Sequence, residues 1–266
     1  MGNGGWTKIS RIGISINRPA RTAALLLTLT SNRHFLNFLS SVLCFMIHQL
    51  IGQRMPGLFV TFEGGEASGK STQLKRLVHR FEKLGRMVTA VHEPGFTEIG
   101  SAIRQLLLHA KEGDSMRGET ELLLFAASRA QLVGETIRPA IEKESVVLSD
   151  RFYDSTTVYQ GFARGGLDLP FIKMLNEFVV GGCKPDRTFL LDLDVAVSRA
   201  RQLRRVRPVG QPDRMERLSD EFFEAVRRGY LEIARAEPDR MKIIDASRTE
   251  EEVEKAIWNE IDGILT

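Results

Sequence analysis

Eight residues constrain this chain more than any others: Gly64-Gly65-Glu66-Ala67-Ser68-Gly69-Lys70-Ser71, a full match to G-x-x-x-x-G-K-[ST]. The apolar run 58–62 before it reads as a short buried strand, and 71–84 after it as a helix. Strand, glycine-rich turn and helix in that order make a phosphate cradle. The glycines let successive backbone N–H groups converge on phosphate oxygens, and the helix adds the positive end of its dipole. There Lys70 reaches the β and γ phosphates and the Ser71 hydroxyl ligates Mg²⁺, with Thr72 closing the phosphate-binding run. Such a cradle implies a bound nucleoside triphosphate and leaves kinase, GTPase and motor undivided.

Downstream the chain alternates strand and helix patterns, the signal of a parallel sheet covered on both faces. Strands are expected at 87–91, 146–148, 188–193 and 242–244. Helices are expected at 99–109, 119–142 and 250–264, with the course of the long one past Pro139 left open. No internal repeat or low-complexity block interrupts this pattern. Residues 55–266 therefore read as one α/β domain with a five-stranded sheet, long enough to bury a core without metals or disulfides. Two cysteines, Cys44 and Cys183, are too few for a disulfide framework or a four-ligand zinc site, and fit a reducing compartment.

Charge separates the first 54 residues from the rest. They hold Lys8, Arg11, Arg18, Arg21, Arg33 and Arg54 and no acid at all, which leaves 31 basic and 34 acidic residues in 55–266. The overall charge of +3 thus belongs to the leader, and a nucleic-acid-binding surface on the main body loses its support. Three readings compete for 1–54: a start assigned upstream of Met55, a targeting or disordered extension, and a membrane anchor. The apolar run 35–51 is shorter than a span of roughly 20 residues and is broken by Asn37, Ser40, Ser41, His48 and Gln49. No membrane contact is expected for the core.

Three further runs bear on the chemistry. Asp150-Arg151 ends the third strand, at the edge of the sheet where open α/β folds bind ligands. Asp150 can hold a metal-bound water or position the acceptor, and Arg151 can fork onto a phosphate; a surface ion pair is the plain alternative. Phe125 and Arg129 stand four apart on one helical face, a seat for a nucleobase or simply a core ring beside a solvated edge. Arg201, Arg204, Arg205, Arg207 and Arg214 crowd a segment broken by Pro208, Gly210 and Pro212. They read as a lid that neutralises a triphosphate, or as a solvated basic loop.

In this order these runs resemble the thymidylate kinase family. The matching segments are Phe62 to Gln73, Glu93-Pro94-Gly95 with Thr97, Glu121 to Gln131, Asp150 to Gly161, Pro185-Asp186 before Leu190-Leu191-Asp192, and Asp213-Arg214-Met215-Glu216 leading to Phe222, Phe223 and Tyr230. The resemblance covers nearly all of 55–266 and none of the leader. It implies a three-layer sandwich of the P-loop nucleoside monophosphate kinase type, ATP as donor with Mg²⁺, dTMP as acceptor, and a cytoplasmic homodimer. It also implies roles: Phe125 stacks on thymine, Arg129 donates to a thymine carbonyl, and Arg151 holds the 5′-phosphate. Thr156 approaches the base, Tyr159 crowds the sugar 2′ position, and Glu66 places the 3′-hydroxyl. Lys70, Asp150, Arg151, Arg204 and Arg207 are the expected catalytic set. Ala67 stands where one type of the family carries an arginine, so this chain resembles the type whose lid arginines supply that charge. Phe96 replaces the second glycine of the usual Glu-Pro-Gly-Gly-Thr run, and His92 precedes it where arginine is common. Phe96 is therefore expected to accept strain or to change the loop.

Overall fold

A computed structural model describes residues 57–109, 116–204, 214–215 and 217–265. Five strands, β1 (Leu58–Glu63), β2 (Val88–His92), β3 (Val146–Asp150), β4 (Arg187–Asp192) and β5 (Met241–Asp245), pair in parallel in the order β2-β3-β1-β4-β5. Around them lie α1 (Lys70–Lys83), α2 (Glu98–His109), α3 (Gly118–Leu132), α4 (Arg138–Glu142), α5 (Tyr153–Thr156), α6 (Leu169–Val180), α7 (Val195–Arg204), α8 (Asp220–Ala236) and α9 (Glu250–Leu265). All five expected strands form, each within two residues of its expected ends.

The alternation along β1 explains the layering. Leu58, Val60 and Phe62 join Leu74, Leu77 and Phe81 of α1 and Val253, Ile257 and Ile261 of α9 in one core cluster. Phe59 points the other way, into a second cluster with Leu132, Val133, Ile137 and Val147. Helices therefore cover both faces, as a fully buried parallel sheet requires. Thr61 and Glu63, on the same face as Phe59, are buried without exposure. The Thr61 hydroxyl lies 2.7 Å from that of Thr188 on β4. β1 crosses over β3 to reach β2, whereas β3 crosses back over β1 to reach β4. The carboxyl ends of β1 and β3 thus flank the point where the connections part, and a crevice opens there.

The helix expected over 119–142 does continue past Pro139, but not as a uniform α-helix. Between α3 and α4 the turns widen to a π-helix at Val133–Ile137, and the Arg138 N–H donates to the Val133 carbonyl five residues back. Proline brings no N–H of its own to the ladder, and the widened turn lets the helix pass it. A second π-segment, Thr157–Ala163, follows α5, with Arg164 N–H donating to Tyr159 O at 3.1 Å. It carries Tyr159 and Gln160 to the crevice wall.

Candidate active site

The turn between β1 and α1 is held by its own backbone demands. Gly64 has φ +134°, and a Cβ there would stand 2.5 Å from the Leu191 carbonyl oxygen, so only glycine fits. Gly69 caps α1 at φ +96°. Ala67 also takes a left-handed φ of +53°, the conformation that wraps the loop at the position where an arginine is absent. Lys70 folds back and donates to Gly64 O at 3.2 Å and Gly65 O at 2.8 Å. Burial and the nearby Arg151 pull its ammonium down to about 8, against Glu66, Asp150 and Glu63.

Facing this turn is a cleft of about 670 Å³. One wall is Glu66, Ala67, Ser68, Gly69, Lys70, Ser71 and Thr72; the opposite wall includes Phe125, Arg129, Asp150, Arg151, Thr156 and Tyr159. Residues as distant in sequence as Glu66 and Met215 are thereby brought into one cavity. Gly64 and Gly65 do not line this cleft; their carbonyls accept from Lys70. Arg204 does not reach this wall: it is the exposed last residue of α7. Arg205 and Arg207 lie outside the described residues.

Ser71 and Asp150 meet directly, the Ser71 hydroxyl donating to Asp150 Oδ2 at 2.7 Å. A hydroxyl and a carboxylate are hard oxygen donors, and no group of three or more His, Cys, Asp or Glu forms a cage among the described residues. That donor set suits Mg²⁺, which takes few protein ligands and completes its shell with phosphate oxygens and water.

Arg151 sits at the junction of both walls. Its guanidinium donates to Glu66 Oε1 at 2.6 Å, to Gly64 O at 3.1 Å and to Ser155 Oγ at 3.3 Å, and lies 5.3 Å over the Tyr159 ring. Its φ is +70°, a left-handed conformation that a non-glycine residue accepts only where its surroundings impose it. Arg129 is fully buried. It donates to Asn176 Oδ1 at 2.8 Å and to the Thr156 hydroxyl, and pairs with the Glu93 carboxylate. Burial raises Glu93 above the ordinary carboxylate value and outweighs the attraction of Arg129. Phe125 is half-buried beside them on α3.

The loop after β2 answers the Phe96 question: it keeps the left-handed conformation at φ +72°. Phe96 is 43% exposed and packs edge-on to His92, ring centres 6.0 Å apart. Arg104 of α2 donates to Pro94 O at 2.8 Å and lines the cleft. Arg214, grouped with the lid arginines by sequence, is instead tethered. It donates to Leu107 O at 2.9 Å and pairs with Glu121, which also takes Arg164 at 2.6 and 2.8 Å and Gln160 at 2.8 Å. The N-terminal end of the basic segment is anchored too, since Ser198 Oγ donates to Glu66 O at 2.6 Å and Arg199 reaches Asp220 at 2.7 Å.

Sequence reasoning gave no role to Glu63, Glu93, Ser155, Asn176 or Tyr230, all of which bond to the arginines of the cleft or to their immediate neighbours. Glu63 adjoins the glycine motif, which is a signal of place but not of partner. Asn176 carries no signal in the sequence.

A parallel sheet with this glycine turn at the end of its central strand, facing a wall of arginines and aromatics, defines a P-loop enzyme with room for a second ligand opposite the triphosphate. The thymidylate kinase family model matches residues 62–257. Thymidylate kinases of Syntrophotalea carbinolica and Deinococcus radiodurans are 48% and 46% identical to it over 202 residues, covering 75% and 76% of this chain and 93% and 95% of theirs. The crystal structure of thymidylate kinase from Ehrlichia chaffeensis aligns with TM-score 0.61 at 29% identity, over 78% of this chain and 99% of that one. The chain belongs to the thymidylate kinase family.

Proposed function

We propose that this chain transfers the γ-phosphoryl group of ATP to the 5′-phosphate of dTMP, yielding dTDP and ADP, by direct in-line displacement. The observation that carries the reading is the single cleft in which the glycine cradle faces Phe125, Arg129 and Arg151. The acceptor phosphate oxygen is already anionic, so no covalent enzyme intermediate and no general base are needed. Catalysis is then positioning and charge neutralisation. The backbone of 64–72 and Lys70 hold the donor phosphates. Arg151 exchanges its bond to Glu66 for the acceptor phosphate, which frees Glu66 for the 3′-hydroxyl. Phe125 stacks on the base, Arg129 with Thr156 marks the base edge, and Tyr159 closes the sugar side. Ser71 and Asp150 would hold Mg²⁺, which when bound spreads the negative charge of the phosphates. Arg204 and Arg207 complete the neutralisation from the basic segment.

Residues 55–266 are proposed as the catalytic unit, on the ground that the family model matches residues 62–257 and that two relatives align over 93% and 95% of their own length. A homodimer is proposed as well. Leu106 on α2, Leu123 on α3, and Phe171, Met174 and Phe178 on α6 are large apolar side chains left exposed, Phe178 at 83%, and sedimentation of the full chain reads this directly. No helix among the described residues is long and apolar enough to cross a membrane; a cytoplasmic setting is proposed on the sparse cysteines.

The test is ADP release with ATP and Mg²⁺ when dTMP, dUMP, dCMP, GMP, AMP and thymidine are offered in turn. A clear preference for dTMP is expected. Preference for another acceptor would overturn the roles of Phe125 and Arg129, and ADP release indifferent to any acceptor would remove the transfer reaction.

A further inference from the structure

Glu63, the last residue of β1, is fully buried and stands one place before the phosphate cradle. Its carboxylate accepts three hydrogen bonds. Oε1 takes the Phe152 N–H at 2.8 Å; Oε2 takes the Ser155 hydroxyl at 2.6 Å and the Tyr230 hydroxyl at 2.7 Å. Each of those donors leads to Arg151. Phe152 follows it in the chain, and the Ser155 and Tyr230 hydroxyls stand 3.3 and 3.4 Å from its guanidinium. The turn is pinned on its other side as well: Arg151 N–H donates to Phe62 O at 2.9 Å, and Ser149 Oγ donates to Arg151 O at 2.6 Å.

This wiring answers a physical need. Arg151 holds φ +70°, and a non-glycine residue stays there only when its neighbours over-determine it. Three donors converging on one side chain require an acceptor with no hydrogen of its own. A carboxylate meets that need, whereas a carboxamide would turn an N–H₂ group toward donors. We propose that Glu63 is the positioning residue for Arg151, fixing the turn after β3 through Phe152, Ser155 and Tyr230 so that the guanidinium is presented to the acceptor phosphate. The inference rests on Arg151 being the ligand of that phosphate.

The experiment uses the full chain as wild type, Glu63→Gln, Tyr230→Phe and Arg151→Lys. Steady-state kinetics give both Michaelis constants. Calorimetric titration with dTMP gives its Kd separately from turnover. Glu63→Gln is expected to raise KM for dTMP about tenfold to a hundredfold, the effect of one charge-assisted hydrogen bond, and to leave KM for ATP unchanged. Tyr230→Phe moves KM for dTMP the same way by less, and it carries the test alone if Glu63→Gln does not fold. An unchanged KM for dTMP in Glu63→Gln and Tyr230→Phe, beside a raised one in Arg151→Lys, overturns the proposal. So does an equal rise in both Michaelis constants. If Arg151→Lys leaves KM for dTMP unchanged, the assignment of Arg151 itself fails, and the proposal fails with it.

Discussion

Removing the Arg129 side chain strands a buried acid, and the cost should depend on pH in a direction fixed by the structure. Arg129 is fully buried and its partner Glu93 is 2% exposed at the side chain. In Arg129→Met the apolar stem is kept while the charge is lost. Two penalties follow. The Thr156 hydroxyl and Asn176 Oδ1 lose their donor, a loss that does not vary with pH. Glu93 loses its partner Arg129, and breaking a buried pair on one side costs about 3–5 kcal/mol. Already raised above its ordinary 4.5 by burial, Glu93 rises further without Arg129. A raised acid makes the folded state bind more protons than the unfolded one. Its stabilising protonation is fully present below pH 4.5 and is lost as pH climbs toward the folded value. Glu93 is raised in the wild type too, so only its further rise in the variant counts, and the destabilisation by Arg129→Met should be larger at pH 7.5 than at pH 5.5. Urea denaturation of wild type and variant at both pH values measures it. Adding Glu93→Gln to Arg129→Met should recover the pH-dependent part and leave the rest. An equal loss at both pH values, or no recovery in the double variant, would refute the reasoning that Glu93 is held by Arg129.

Gly64→Ala should cost at least about 2 kcal/mol and abolish ATP binding, because its Cβ meets the Leu191 carbonyl at 2.5 Å at a φ of +134°. Gly65→Ala, with nothing within 4 Å of its Cβ, should stay within about 1 kcal/mol of wild type in thermal denaturation. Lys70, held down to about 8, is charged below that value and loses its charge above it. KM for ATP should therefore rise between pH 8 and 9, and Lys70→Arg should remove that rise. Glu121 is buried, which opposes its ionisation, but Arg164, Gln160 and Arg214 outweigh burial and depress it below 4.5. Its contribution is present above that value and is lost as pH falls through the lower folded one. Glu121→Gln should cost about 3 kcal/mol at pH 7, with the gap to wild type closing on acidification, as read by chemical denaturation.

What the sequence made legible is what the backbone itself demands. Glycine at 64 is required by a positive φ and a carbonyl 2.5 Å from its Cβ position, and such demands leave a spacing that can be read without knowing the fold. The strands were legible for the same reason, because burial on both faces selects apolar runs regardless of what lies opposite. The opposite wall of the cleft is built by another logic. Glu63 finds Tyr230 167 positions away, Arg129 finds Asn176 47 away, and Glu121 finds Arg214 93 away. Those pairings exist only in the folded chain, where separate elements meet, and a buried pair leaves no periodic trace. The arginine-rich segment shows the consequence. By charge alone its five arginines form one electrostatic group, yet Arg214 is committed to Glu121 and to the Leu107 carbonyl, a partner pattern that composition does not contain.

The two walls should accordingly fail in different ways. The glycine turn has one buried cation, Lys70, so substitutions there should act through sterics and through Lys70, and on the proposed reading their effects should centre on ATP. The opposite wall is backed by buried carboxylates held by arginines: Glu63 near Arg151, Glu93 on Arg129, and Glu121 on Arg164 and Arg214. Each acid sits where burial opposes its charge, so each arginine lost transfers its penalty to a proton equilibrium. Damage on that side is therefore sensitive to pH and can be relieved by neutralising the stranded acid. Damage to the glycine turn offers no such relief, because a Cβ pressed against a carbonyl oxygen has no proton to take up.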